Sequence, residues 1–264
     1  MNQELVSIVI PAYNEAPLIG KCLESLKNQT YSGPKEIIIC DNNSTDNTGD
    51  IARAAGVTVV FEAAPGVIPA RETGTKAATG TIIIQTDADT TFPPTWLEQI
   101  MKAFASDEKV IAVAGSFKFD GGPWWGKYFT ALLFGLSGLI NKWFNRMVYI
   151  PGANTAFRRR VFKGYDMNLD QGGDEVALLR ELRTQGKIVC LPKNYVLTSP
   201  RRLSKGLLYN IFVTGLYYYC FDYFYRRITG KSLHAYPRIR EQQAAAKAEA
   251  EKAAQSVGSS IEQN

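Results

Sequence analysis

Apolar residues along the chain follow two alternating rhythms. Short runs rich in Ile and Val, "LVSIVI" (5–10), "EIIIC" (36–40), "VTVVF" (57–61), "TIIIQ" (81–85) and "VIAVAG" (110–115), predict strands. Between them, "APLIGKCLESLKNQ", "TDNTGDIARAAG", "IPARETGTKAATG" and "PTWLEQIMKAFAS" space their apolar residues as helices do. Ser44 or Thr45, with the acids that follow, supplies a cap-like start for the second helix. Strands apolar nearly throughout, alternating with helices, predict an α/β fold with a mostly parallel central sheet covered on both faces. Ligands of such sheets sit outside the carboxyl ends of the strands, so chemistry is expected there.

Those ends are polar. The first strand empties into "PAYNE", the second into "DNNSTD" and the fourth into "TDADT". Asn14 and Glu15, Asp41 and Asn42, and Asp87 and Asp89 therefore converge on one edge of the sheet. Asp87 and Asp89 repel each other across Ala88 unless a positive charge lies between them. They form either a solvated turn or a cation site.

After residue 120 the alternation stops. "GGDEVALLRELRTQG" (172–186) predicts an amphipathic helix with Val176, Leu178, Leu179 and Leu182 facing inward, followed by a strand, "KIVCLP", and the turn "TSPRRL". Two aromatic segments flank this region. "YFTALLFGLSGLI" (128–140) is short for a bilayer, and "LLYNIFVTGLYYYCFDYFY" (207–225) carries Asn210, Asp222 and many tyrosines. Interfacial or buried helices fit both better than spans. Lys127, Lys142 and Arg146 flank the first, and Lys205, Arg226 and Arg227 the second, as a surface facing anionic lipid requires. Solvated helix ends would look the same. The Ala-, Glu- and Lys-rich tail beyond about residue 240 predicts a solvated helix fading to disorder.

Charge and cysteine content narrow the partners. A net charge of +5 and a pI near 8.9 suit phosphate groups or an anionic membrane and make no case for nucleic acid. Cys22, Cys40, Cys190 and Cys220 show no metal-ligand spacing and predict reduced thiols in a cytoplasmic protein. A single His234 leaves no room for a histidine-based metal site. "MNQELVSIVIPAYNE" has no basic n-region or long apolar stretch, so no secretory signal is expected.

In order, "SIVIPAYNEAPLIGKCLESLKNQTY", "EIIICDNNSTDNTGDIA", "GVIPARETGTKAATGTIIIQTDADT", "IPGANTAFRRRVF" and "GGDEVALLRELRTQGKI" resemble successive blocks of the family-2 glycosyltransferases, over roughly residues 5–203. That family comprises inverting enzymes of the GT-A fold, which use nucleotide-diphosphate sugars. The resemblance places the nucleobase at Asp41, with Pro11, Ala12, Tyr13 and Glu15 wrapping it from the strand-one loop. It directs Asp87 to the ribose and Asp89 to Mg²⁺ or Mn²⁺, with Ala88 between them. Carboxylates and substrate phosphates are the usual ligands of these ions. Arg71 matches the Ala-Arg of the third helix and would orient Asp87 or contact the nucleotide. Asn154, within "GANTAF", matches the block lining acceptor and donor sugar.

The family's base heads the "xxLxxRL" helix as the Asp of a Glu-Asp pair. This chain has Asp174-Glu175, with Glu175 on the position of that Asp, so either carboxylate could serve. Arg201 and Arg202 suit a diphosphate. The processive members' Gln-x-x-Arg-Trp motif is missing, which argues against a polymer-extruding synthase.

The resemblance implies a nucleotide-binding half at 1–120 and an acceptor-binding half at 121–203, while composition predicts an aromatic helical segment suited to a membrane surface at 204–240 and a polar helical or disordered tail at 241–264. It implies a glycan or lipid-linked acceptor for the cell envelope, and a cytoplasmic enzyme peripheral on the inner face of the membrane. Two alternatives stand beside it. A nucleotidyltransferase would want a glycine-rich basic loop after the first strand, where this chain has "PAYNEAPLIG". An inactive GT-A binding module would have little reason to keep the acids and the arginine pair.

Overall fold

A computed structural model describes residues 4–144, 147, 149–167, 169, 173–210, 212 and 225. Its first half alternates as the apolar pattern predicts: β1 (Val6–Ala12), α1 (Ala16–Lys27), β2 (Lys35–Asp41), α2 (Thr48–Ala54), β3 (Thr58–Phe61), α3 (Val67–Ala77) and β4 (Ile82–Gln85). There follow β5 (Thr90–Thr91), α4 (Trp96–Ala105), β6 (Val110–Phe119), α5 (Gly126–Phe144), β7 (Thr155–Arg158), α6 (Gly173–Arg183) and β8 (Lys187–Thr198).

The strands form a single sheet in the order β3-β2-β1-β4-β7-β6-β8-β5. β1, β2, β3 and β4 run parallel, as do β6 and β8. The exceptions are the two-residue β5, antiparallel to β8, and β7, antiparallel to both β4 and β6. β7 comes from the half expected at 121–203 yet lies between two strands of the half expected at 1–120, so the two halves share one continuous sheet. β6 and β8 also run longer than their apolar runs, with irregular register between Ala114 and Ser116. Their extra residues mix buried Ser116, Asn194 and Val196 with aromatic and exposed charged side chains, which hides them from an apolar-run criterion.

Alternation along the strands feeds two cores. Ile8, Ile10, Ile39, Ile82 and Ile84 pack with Trp96, Leu97 and Phe104 of α4 on one face. Val9, Ile38 and Ile83 pack with Leu178, Leu179 and Leu182 of α6 on the other. Period-two side chains in a sheet covered on both sides require this division, and each fully buried Ile contributes about 1.5–3 kcal/mol. Val176, expected inward, is only half-buried.

The start of α2 differs from expectation. Its N-cap position is Asn47, and neither Ser44 nor Thr45 caps it. Asp46 serves instead, accepting from Thr48 N at 3.0 Å. Ser44 and Thr45 are drawn across to the β1–α1 loop, where Ser44 Oγ accepts from Asn14 N and Thr45 N donates to Asn14 Oδ1. Cys22, Cys40 and Cys190 are free thiols. Cys220, His234, Arg146, Asp222, Arg226, Arg227 and the 241–264 tail lie outside the described residues, as does nearly all of 213–240.

Candidate active site

β2, β1 and β4 are neighbours, so the exits of the first, second and fourth apolar runs fall side by side. Asn14 (φ 53°) and Asn43 (φ 61°) take left-handed backbone, which Asn tolerates better than most residues, and they turn the first two loops over the sheet edge. The loops are then stitched together: Thr48 Oγ1 accepts from Glu15 N at 2.8 Å, and Asp46 Oδ2 accepts from Ala16 N at 3.1 Å. Asp41 closes β2 opposite Ala12, half-exposed, with Oδ1 accepting from Ser44 N at 3.0 Å. Asn42, a residue with no role assigned from sequence, ties this corner down. Its Nδ2 donates to the carbonyls of Glu62 and Ala64, and its Oδ1 accepts from Gly66 N.

β4 delivers "TDADT" as a tight turn at Ala88 and Asp89, after which Thr90 pairs with Thr198 of β8. That two-residue pairing fixes Asp89. Its Oδ1 accepts from Thr198 Oγ1 at 3.2 Å, its carbonyl accepts from Ser199 N, and its Oδ2 lies 2.9 Å from Arg201 Nη2. The same nitrogen is 2.7 Å from Glu15 Oε1, so Arg201 joins the first loop to the fourth strand's turn. Burial pushes the Glu15 carboxyl above its usual range, with Asp89 and Asp87 adding to the rise and Arg201 opposing it. Glu15 Oε2 is buried and has no hydrogen-bond partner.

Arg71, buried in α3, reaches two acids. Nη2 lies 3.2 Å from Asp87 Oδ1 and Nη1 lies 2.5 Å from Asp174 Oδ2 at the head of α6. Burial works against the guanidinium, yet Asp174 and Asp87 hold its charge more firmly than usual. Burial also raises the Asp87 carboxyl, against the pull of Arg71 and with the push of Asp89.

Beside Asp174, Glu175 accepts from Gly152 N through Oε1 at 2.9 Å. A side chain at Gly152 would run into both Arg71 and Glu175, so the backbone approaches as closely as glycine permits. Glu175 Oε2 is buried without a hydrogen-bond partner. Burial, and then the neighbouring Asp174 charge, push the Glu175 carboxyl up to about 7, with Arg71 opposing. Tyr165, not singled out from sequence, completes the cluster. Its hydroxyl is buried without a hydrogen-bond partner, and burial pushes the phenol up within the field of Arg71, Asp174, Glu72 and Glu175.

Most of the residues expected at the site do meet here, but four are placed otherwise than expected. Asn154, expected against the sugar, points inward. Its Oδ1 accepts from Trp96 Nε1 and its Nδ2 donates to the carbonyls of Ser116 and Asn194, so neither amide proton is left for a ligand. Ala12 and Ala88 are buried in the core, leaving only backbone to meet a nucleotide. Pro11, expected in the loop, is still within β1 opposite Cys40. Tyr13 is half-exposed on the β1–α1 loop, and Arg202 is exposed on the turn after β8, close enough for its charge to act on Asp87.

The residues present fit a divalent ion. Asp89, Asp87 and the unpartnered Glu15 oxygen offer hard carboxylate donors in one electrostatic neighbourhood. Among the described residues no group of three or more His, Cys, Asp or Glu could hold an ion unaided, so phosphate oxygens would have to complete its shell.

The sheet, with carboxylates gathered at its carboxyl edge, has the fold of the GT-A glycosyltransferases. The chain belongs to glycosyl transferase family 2, whose model matches residues 7–166. Glycosyltransferase EpsJ of Bacillus subtilis, itself uncharacterized, is 35% identical over 119 residues, which cover 43% of this chain and 34% of that protein. Glycosyltransferase AglE of Haloferax volcanii is 35% identical over 121 residues, covering 43% and 40%. The chain thus spans well under half the length of these curated relatives.

Among solved structures, the mannosyltransferase PcManGT of Pyrobaculum calidifontis, in complex with GDP-Man and Mn²⁺, superposes with a TM-score of 0.60 at 24% identity, covering 75% of this chain and 57% of that one. Glucosyl-3-phosphoglycerate synthase of Mycobacterium tuberculosis, with Mn²⁺, UDP and glucosyl-3-phosphoglycerate, gives 0.56 at 19% identity, covering 74% and 71%.

Proposed function

We propose that this chain transfers a sugar from a nucleotide-diphosphate donor to an acceptor hydroxyl with inversion, and that Glu175 is the base. The observation that carries this reading is the contrast between the two acids at the head of α6. Asp174 is bound to the buried Arg71, whereas Glu175 is steered through one oxygen by Gly152 and keeps the other open. A base poised near neutrality combines ionisation with proton affinity, and the position of Glu175 near 7 meets that requirement.

The step follows from these groups. Glu175 Oε2 takes the acceptor proton as the acceptor oxygen bonds to the anomeric carbon, and the bond to the diphosphate breaks on the opposite face, its electron pair leaving with the phosphate. Asp41 takes the base or ribose, Asp87 the ribose, and Arg201 with Arg202 the diphosphate. Mg²⁺ or Mn²⁺ held by Asp89 and Asp87 would neutralise charge gathering on the leaving group. Both solved relatives named above hold Mn²⁺, which supports this assignment. Arg71 orients Asp87 and Asp174. The acceptor is a lipid-linked or other cell-envelope glycan precursor.

A panel of nucleotide sugars with Mn²⁺, scored first by thermal shift and then by turnover, tests the reading. We expect one donor class to raise the Tm and to yield product of inverted anomeric configuration by NMR. Retained configuration would sink the mechanism. Stabilisation by nucleoside triphosphates alone would point to nucleotidyl transfer instead.

A further inference from the structure

Helix α5 is turned inside out. Its small polar residues Thr130 (3% exposed) and Ser137 (6%) face the protein, while Tyr128 (59%), Leu132 (63%), Leu136 (53%), Leu139 (54%) and Trp143 (77%) face outward. Their spacing of three and four residues makes one continuous stripe about four turns long. The helix is not loosely placed: Phe134 packs edge-on against Phe117 of β6 with ring centroids 5.1 Å apart, and meets Tyr149 at 6.1 Å. A contiguous apolar stripe of this kind marks an interaction surface.

The chemistry around the stripe selects the partner. Trp124 (75% exposed) stacks edge-on with Tyr128 at the leading end, under Lys127, whose Nζ is 5.0 Å from the Tyr128 ring; Trp143 closes the other end. Indole and phenol rings at both ends of an apolar band, with lysine beside them, are the anchors of a helix lying in a bilayer interface. From residue 121 to residue 144, the turn into α5 and the helix itself, the chain has two lysines, Lys127 and Lys142, and no Asp or Glu. A second copy of the chain laid on this stripe would oppose lysines with no carboxylate to offset them, whereas an anionic lipid surface matches them. Among the described residues no helix is long and apolar enough to cross a membrane, so the contact is with the surface.

We infer that the Tyr128–Leu132–Leu136–Leu139–Trp143 face of α5 docks on an anionic bilayer surface. The docking face connects to the active site through one turn. A Cβ at Gly126, the first residue of α5, would fall 2.6 Å from Leu203 Cδ1, and Leu203 lies on the turn that carries Arg201 to Asp89 and Glu15. Leu208 and Phe212, just beyond that turn, are also exposed. Docking thus brings the carboxylate edge of the sheet close to the bilayer, where a lipid-borne acceptor would lie. The inference itself stands on α5 and does not require the transferase reading.

Flotation of the full chain with vesicles of phosphatidylcholine, with and without phosphatidylglycerol, tests it. The chain should float with the anionic vesicles, and their brominated lipids should quench Trp124 and Trp143 but not the buried Trp96. The double substitution Leu132→Glu and Leu136→Glu should cut partitioning by at least about tenfold with an unchanged Tm, since both residues are exposed. Lys127→Glu should weaken it in a salt-dependent manner. Wild-type-like binding by the double variant would overturn the proposal, as would failure of the wild type to bind. So would a lipid-free dimer that dissociates in the double variant, which would assign the stripe to self-association.

Discussion

Arg71 and Asp174 form an ion pair 2.5 Å long, with 5% and 2% of their side chains exposed, between the nucleotide side of the site and the head of α6. Each charge needs the other, because an unpaired charge in that position would lie buried without compensation. Removing one partner of such a pair typically costs about 3–5 kcal/mol. Asp174→Asn should therefore lower stability on that scale in chemical denaturation, more than any exposed carboxylate would. It should also move the acid limb of activity to lower pH, since Asp174's charge is one of the causes that raise Glu175. A variant of wild-type stability would show that Arg71 does not depend on this partner.

Glu175 must be ionised to accept a proton, so kcat/KM should fall as pH drops through about 7. Stability runs the other way. A carboxyl raised in the fold above its ordinary value of 4.5 favours the protonated native state, so its contribution is complete below 4.5 and is lost as pH rises towards 7. Glu175→Gln keeps the shape but cannot take a proton. Donor binding should survive while turnover drops by about 100-fold or more, and the stability change between pH 4.5 and 7 should flatten. Retained turnover would return the role of base to Asp174.

Why these acids were legible in the chain, while their division of labour was not, has a physical cause. Asp41, Asp87 and Asp89 follow apolar strands, and the alternation of strand and helix places such ends on one edge without further information. Arg71 carries no such mark. The family resemblance directs it to Asp87 or the nucleotide, and only the packing of α3 under the sheet edge brings it also to Asp174, 103 residues later. Asn154 misleads in the opposite sense. The resemblance of "GANTAF" puts it in the block lining the sugars, yet β7 enters the sheet between β4 and β6, and that insertion turns Asn154 towards Trp96 and the backbone of neighbouring strands. Long-range pairing decided both cases, and residue type and local spacing contain no record of it.

Arg201 meets Glu15 and Asp89 through one nitrogen, leaving most of its guanidinium edge for other acceptors. If that edge faces the diphosphate, Arg201→Ala should raise the donor KM by about tenfold or more, as loss of a charge-assisted contact does. Lysine should recover little, because a compact ammonium cannot hold two carboxylates and a phosphate in one plane. Steady-state kinetics over a range of donor concentrations distinguishes this from a structural role, which would lower stability and leave KM unchanged.

Asp89 is held by Thr198, by Ser199 through its carbonyl, and by Arg201. The pairing of Thr90 with Thr198 would persist without its carboxylate, so Asp89→Ala should fold. In that variant Arg201 keeps Glu15 alone, and the site loses one of the two carboxylates assigned to the ion. Calorimetric titration with Mn²⁺ should show weak binding to the wild type on its own and much tighter binding once a nucleoside diphosphate is present, because phosphate oxygens complete the shell. The variant should lose that diphosphate-dependent gain along with metal-stimulated turnover. Full activity of Asp89→Ala at saturating donor, unchanged by a chelator, would remove the ion from the mechanism and leave Arg201 and Arg202 as the groups that meet the leaving diphosphate.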